Sequence, residues 1–298
     1  MPLLTVAIAC VFNIVGDLLL VGVFGLATAG AAIATVLAQV LSVVISLQII
    51  RKRKFPFVFH RKDIAFDRKR MGEVFRLGFP IAFQDVLVGI SFLAITAIVN
   101  SLGVIPSAGV GVAEKLCGFI MLVPSAFNQS MAAFVSQNMG AGEAEGRRRR
   151  CCAELGCRWL WVFWMAYGAF FHGDILSGIF ARDGEVIAAS AEYLKAYAID
   201  CLLVSVMFCM IGYFNGCGKT LFVMVQGIVG AFGVRIPVSF LMSRMVPVSL
   251  FGVGLATPCS SGVQIVLCVG YFFLGESEGG VGRSCDGGSR TSVWIGDR

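Results

Sequence analysis

Histidine is almost absent from this 298-residue chain, which has only two. Charge is sparse too, with Asp, Glu, Lys and Arg together making 14% of residues. No two cysteines have CxxC spacing, and neither a nucleophile elbow nor a phosphate loop occurs. His60 and His172 sit in or beside expected loops, without a partner nucleophile or a metal-ligand spacing. Asn215-Gly216-Cys217-Gly218-Lys219 ends in Gly-Lys but follows an apolar run, so it reads as a tight cytoplasmic turn. Of the 11 cysteines, Cys10, Cys117, Cys201, Cys209, Cys259 and Cys268 lie inside apolar runs, where cysteine behaves as a small hydrophobe. Cys151, Cys152 and Cys157 flank an arginine run without a histidine, so no metal site is expected. These absences leave no catalytic constellation, and an enzyme is the least favoured class.

What the chain has in quantity is apolar sequence, at 57% of residues. A spanning helix needs about 20 mostly apolar residues. Eight runs approach or meet that length: 3–24, 27–50, 79–102, 108–135, 157–171, 190–214, 220–242 and 250–274. The expected fold is therefore an all-α polytopic membrane protein with about eight transmembrane helices. No cleavable leader is expected, because the first run lacks a basic n-region and is too long.

Positive charge alternates between the loops. The loop after the second run carries ten Lys and Arg, among them Arg51, Lys52, Arg68, Lys69 and Arg76. The loop after the fourth carries Arg147, Arg148, Arg149, Arg150 and Arg158, and the one after the sixth carries Lys219. The opposite loops hold only Arg182 and Arg244. Lys- and Arg-rich short loops stay cytoplasmic, so both termini are expected in the cytoplasm of a protein of the cytoplasmic (inner or plasma) membrane. The basic runs flank apolar spans, which argues against nucleic acid and for the bilayer as their partner.

The longest polar break, 51–77, separates two spans from six. Within it 63–77 has the pattern of an amphipathic helix, either at the membrane interface or solvated as a linker. Residues 275–298 are rich in Gly and Ser with mixed charge, and read as a disordered tail or as a shifted reading frame. An internal echo joins the two ends of the membrane region. Asn13 to Asp17 followed by Gly30 to Thr35 is matched 222 residues later by Arg235 to Ser239 followed by Gly252 to Thr257. Both pairs run in the same direction, so the repeat would be parallel, with a six-span unit.

Several further segments carry a specific likeness. They are Asn13-x3-Asp17 with Gly30-Ala31-Ala32-Ile33-Ala34-Thr35-x3-Gln39, and Arg76-Leu77-Gly78-Phe79-Pro80-Ile81-Ala82-Phe83-Gln84. Pro124 through Gln137-Asn138-x-Gly140-Ala141-Gly142, the Asn215 to Lys219 turn and Arg235-x-Pro237 complete the set. In this order and spacing the chain resembles the multidrug and toxic compound extrusion (MATE) family. The resemblance implies twelve helices in two lobes of six around a central cavity. It makes 1–50 the last two helices of an N-terminal lobe, 51–77 a basic linker and 78–274 a six-helix C-terminal lobe. The first four helices would then be missing, as in an N-terminally truncated product.

Ionisable residues inside spans are costly and each is a functional hypothesis. Asp17, Asp85, Glu114, Lys115, Asp200 and Arg235 qualify. A carboxylate held away from water is stabilised by binding a cation or proton, as a coupling site must do. Asp200, Asp85 and Glu114 are the candidates for that role. Arg235, Lys115, Gln84 and Gln129 are candidates to line a cavity or lock helices, with Arg235 able to pair with Asp200. The resemblance places the family's C-lobe cation site on the third and sixth spans, where Asp85 and Asp200 lie. The family's own carboxylate positions fall on Val88 and Val204. Gly89, Gly103, Gly109, Gly111 and Gly118 are expected to permit close helix approach or bending, and Pro80 and Pro124 to kink their helices.

The function expected is a cation-coupled (Na+ or H+) antiporter exporting hydrophobic or cationic small molecules. No catalytic residue, resident metal or organic cofactor is expected. Expected partners are drug-like substrates, the bilayer, and a second copy or complementing helices. A lipid-linked oligosaccharide flippase of the same superfamily, or an inactive transporter fragment, is the alternative. Only Arg235 lies deep within a span, which disfavours pyrophosphate binding by a flippase.

Overall fold

In a computed structural model of the chain the described residues are 2–52, 67–141 and 162–277. They form helices connected by short turns. Among the described residues seven helices are long and apolar enough to cross a membrane. An eighth, α5 (Val162–Phe171), is the described part of the span expected over 157–171. The chain divides into two compact units, Met1–Phe66 and Asp67–Arg298.

The first unit is a helical hairpin. Helix α1 (Pro2–Asp17) continues as a π-helical segment (Leu18–Val23), and the chain reverses before α2 (Ala27–Lys52). Gly30, Ala34 and Ala38 recur every fourth residue as a buried seam of α2. A Cβ at Gly16 would lie 3.0 Å from the Ala34 Cβ, so small residues set the separation of the two helices. Asn13 Nδ2 donates to Thr35 Oγ1 across the pair at 3.4 Å. Asp17 is half-buried, makes no side-chain cap, and leaves Oδ1 without a partner among the described residues. Leu4, Val6, Val11 and many neighbours point outward, as expected of helices solvated by lipid.

The second unit contains α3 (Arg68–Asn100), α4 (Val104–Gly140), α5, and the short α6 (Gly173–Gly178). Next come α7 (Gly184–Gly216) and a composite span of α8 (Thr220–Ile228), a π segment (Val229–Arg235) and α9 (Ile236–Arg244). Helices α10 (Leu250–Gly254) and α11 (Ala256–Ser277) complete it. The stretch read as an amphipathic linker helix is, from residue 67 on, the first turns of α3. Asp67 caps it by accepting from the Lys69 and Arg70 amides. Residues 53–66 of the basic loop, with His60, lie outside the described residues, as do Arg147 to Arg150, Cys151, Cys152 and Cys157. The expected tail is helical through Ser277, and its remainder is also outside the described residues. Helices α3 and α4 continue through Pro80 and Pro124, both buried.

Contacts fix the directions of the spans. Gly109 packs on Ala189 and Ser190, Gly212 on Asn128 and Met131, and Gly216 on Val135, so α4 and α7 run parallel. Gly254 of α10 meets Tyr193 and Ala196 while Ser261 of α11 meets Asp200, so the span Leu250–Leu274 is parallel to α7 as well. Gln84 meets Gly227 and Ser91 meets Arg235, which makes α3 parallel to the composite span. Within the second unit these pairs, each two or four spans apart, share a direction, the alternation expected from the loop charges. At the offset of 222, Ala27 corresponds to Ser249 and Lys52 to Leu274, and a span occupies Leu250–Leu274.

The close contacts are made by glycines largely different from those expected. Gly109 is tight, and Gly103 has φ +121°, a conformation glycine tolerates. A Cβ at Gly89, Gly111 or Gly118 would meet nothing within 4 Å. At the end of α7, Gly218 has φ +72° and the Lys219 amide donates to the Phe214 carbonyl at 2.9 Å. That bond and left-handed glycine form a Schellman cap, the tight turn read from the sequence.

At the opposite end of α7, Glu192 ties two elements together. Its Oε1 accepts from Ser249 Oγ at 2.5 Å and from the Phe251 amide at 3.3 Å, beside the start of α10. Hydrogen bonds to a charged group contribute roughly 1.5–3 kcal/mol. Glu192→Ala should therefore lower the thermal unfolding midpoint of detergent-solubilised protein while Glu192→Gln lowers it less. Equal midpoints for wild type and both variants would contradict this reading.

Candidate functional site

Between these apolar helices lies a buried polar core. On α7, Tyr193, Tyr197, Asp200 and Val204 follow helical spacing and are all buried, forming one stripe. Asp200 is only 3% exposed. Its Oδ1 accepts from Ser261 Oγ of α11 at 2.6 Å.

Arg235, 6% exposed, is the last residue of the π segment. Pro237 follows two residues later and removes a donor from the helix ladder, at a point where the helix crosses the bundle with a widened turn. The guanidinium donates from Nη1 to Ser91 Oγ of α3 at 3.1 Å and stacks over the Phe92 ring at 4.5 Å from its centroid. It lies within electrostatic range of Asp200, Tyr193 and Tyr197. The two charged groups share one core, but each is held by a serine rather than by the other.

Two glycines of the composite span admit amide side chains against its backbone. A Cβ at Gly227 would lie 2.6 Å from Gln84 Nε2, and one at Gly230 would overlap the Gln264 amide. Ser260 Oγ donates to the Gly230 carbonyl at 2.8 Å, and Gln264 Nε2 donates to Ser260 Oγ at 3.0 Å. A side chain at either position would force the facing amide to shift.

The core also holds polar atoms with no protein partner among the described residues. They are Arg235 Nε, Ser239 Oγ, and both side-chain polar atoms of Gln226, which is 1% exposed. Leaving a buried polar group unpaired costs about 1–3 kcal/mol, so such groups concentrate where function requires them.

Of the sequence candidates, Asp200 and Arg235 lie in this core, and Gln84 packs against Gly227 of the composite span. Glu114 borders the same region. It is half-buried, with Oε1 3.5 Å from Thr96 Oγ1, one turn along α3 from the Phe92 shelf. Asp85, Lys115 and Gln129 are exposed and lie outside this hydrogen-bonded core. Sequence reasoning missed Ser91, Ser260, Ser261 and Gln264. The available signals were the seven-residue step from Gln84 to Ser91 and the Ser260-Ser261-x2-Gln264 cluster in an otherwise apolar run. It also passed over Glu192 and Lys195 in the sixth span. No group of His, Cys, Asp and Glu among the described residues could hold a metal ion.

Apolar helices of spanning length around a buried carboxylate, a guanidinium and serines define a multi-pass membrane protein with an ionisable interior. A family model described as MatE matches residues 80–241, more than half of the chain. The chain belongs to the MatE family. It is 25% identical over 284 residues to the "Probable multidrug resistance protein YoeA" of Bacillus subtilis, a match covering 91% of this chain and 60% of that protein. It is 22% identical to the "Multidrug export protein MepA" of Staphylococcus saprophyticus, covering 79% of this chain and 52% of that one. Among solved structures, an outward-facing multidrug resistance MATE family transporter superposes with a TM-score of 0.81 at 15% identity, covering 92% of this chain and 61% of the other. A MOP superfamily transporter from Pyrococcus furiosus superposes with a TM-score of 0.79 at 15% identity, covering 91% of this chain and 60% of its own. The chain therefore spans roughly 50 to 60% of the length of these relatives.

Proposed function

We propose that this chain forms the ion-coupling part of an exporter of hydrophobic or cationic small molecules across the cytoplasmic membrane. Asp200 carries the reading. It is the one carboxylate buried in the apolar bundle among the described residues, is held by one serine hydroxyl, and shares its core with the Arg235 cation. Binding of Na+ or H+ at Asp200 changes the charge balance of that core, and the unpartnered Arg235 Nε and Gln226 amide supply groups that can exchange partners as helices shift. Asp85 and Glu114 are secondary coupling candidates, and Gln84, Gln129, Lys115 and Arg235 remain candidates for the cavity wall. The multidrug names of the relatives support the substrate class.

In this reading residues 1–50 belong to one lobe and 78–274 to the other, with the basic linker and both termini in the cytoplasm. A second copy or complementing helices supplies the rest of the transport pathway. The test is efflux of a fluorescent cationic dye from cells expressing this chain, with and without an imposed ion gradient. Faster, gradient-dependent efflux supports the proposal. Membrane insertion without any gradient-dependent efflux, alone or with complementing helices co-expressed, contradicts it.

A further inference from the structure

A groove of about 780 Å³ opens at the end of the second unit where α3 begins and α7 ends. One wall is the first part of α3, including Phe75, Arg76 and Phe79. The other is the turn from Cys217 to Phe222, with Tyr271 of α11 behind it. The turn is fixed by the left-handed Gly218, and a Cβ there would lie 3.7 Å from Leu77.

The lining is divided by chemistry. Phe222 and Tyr271 stack face to face with ring centroids 4.0 Å apart, and Phe79 stacks on Phe83 at 5.8 Å. Phe75, Phe79 and Leu221 are each more than 60% exposed. Arg76 and Lys219 are the charged residues of the lining among the described residues. Arg68, Lys69 and Arg70 precede by two turns on α3, with Asp67 engaged by Arg70 at 3.3 Å. Two cations beside exposed aromatic and aliphatic surface fit a ligand with an anionic head and a hydrocarbon tail. The groove also lies at the Lys- and Arg-rich end of the spans, the end that meets an anionic leaflet.

We propose that this groove is a binding site for one anionic glycerophospholipid. Arg76 and Lys219 hold the phosphodiester, and the Phe222–Tyr271 stack and Phe79 line the acyl chain. A free phosphate ester would leave the aromatic wall unused, and a zwitterionic lipid would add a cation of its own beside Arg76 and Lys219. The inference needs only the membrane setting and is independent of the role given to Asp200.

The test titrates the purified full chain in mild detergent with dioleoylphosphatidylglycerol, dioleoylphosphatidylcholine or glycerol 3-phosphate, reading the thermal unfolding midpoint and lipid retained in native mass spectrometry. The expected result is one phosphatidylglycerol held at least tenfold more tightly than phosphatidylcholine, with no binding of glycerol 3-phosphate in the same range. The doubly substituted Arg76→Gln, Lys219→Gln chain should bring the two lipids within twofold. The charge-conserving Arg76→Lys, Lys219→Arg chain should keep a preference, which separates loss of charge from misfolding. Equal binding of both lipids by the unsubstituted chain, or a preference that survives the Gln substitutions, would overturn the proposal. Glycerol 3-phosphate binding as tightly as the lipid would overturn it too, making the ligand a soluble phosphate ester.

Discussion

Asp200→Asn should abolish gradient-driven efflux while the protein still inserts and folds. Asparagine keeps the volume of aspartate and its amide oxygen can still accept from Ser261, so the 2.6 Å contact in the core has a substitute. What is lost is a site whose charge changes when an ion binds. A full charge crossing the membrane is driven by about 2.3 kcal/mol per 100 mV. That energy sustains a substrate concentration ratio of roughly 50-fold, because about 1.4 kcal/mol corresponds to tenfold. The variant should lose a ratio of that order and retain only passive leakage. Asp200→Glu, which keeps the charge but adds a methylene to a packed site, should retain part of the activity. Efflux by Asp200→Asn with unchanged gradient dependence would contradict a coupling role for this residue.

Gly230→Val should be strongly destabilising. Even the first carbon of a side chain there would overlap the Gln264 amide. Overpacking costs about 1–3 kcal/mol, and displacing Gln264 from Ser260 strands a buried amide at a further 1–3 kcal/mol or so. The Ser260 bond to the Gly230 carbonyl sits beside the same insertion and would be strained with it. Gly230→Ala should be milder, and Gly230→Ala with Gln264→Ala milder still, because the second change removes the group that clashes. Gly111→Ala is the control, since a Cβ at that position meets nothing within 4 Å. Thermal unfolding in detergent checks the series. A Gly230→Val protein that melts with the wild type would show that the composite span and α11 do not pack as described.

The fold was legible in the sequence because a membrane imposes few options. Apolar length marks the spans and Lys and Arg distribution marks their alternation, and the parallel contacts of α4 with α7 and of α7 with α11 follow that alternation. Asp200 and Arg235 were legible for the related reason that charge is rare inside apolar runs. Helix phase was less legible. Asp85 neighbours Gln84 in sequence, yet Gln84 reaches Gly227 and Asp85 is exposed, since adjacent residues point about 100° apart on a helix. The same rotation leaves Glu114 half-buried and Lys115 exposed.

Serines and glycines carried least signal and organise most of the core. Ser91, Ser260 and Ser261 are common residues in apolar helices, and only the three-dimensional contact shows that they bond Arg235, Gly230 and Asp200. Likewise nothing in composition separates Gly230, pressed against Gln264, from Gly118, which faces open space. The widened turn before Pro237 was visible only as a helix-breaking residue, and its effect is to end at Arg235 in the core.

The most direct measurement is ion movement triggered by substrate in proteoliposomes containing this chain, with H+ and Na+ gradients imposed one at a time. The account predicts that a cationic dye moves against its gradient under one of them, that adding dye drives that ion in the opposite direction, and that Asp200→Asn eliminates both movements. Dye transport independent of both gradients, or ion movement that persists in Asp200→Asn, would contradict it.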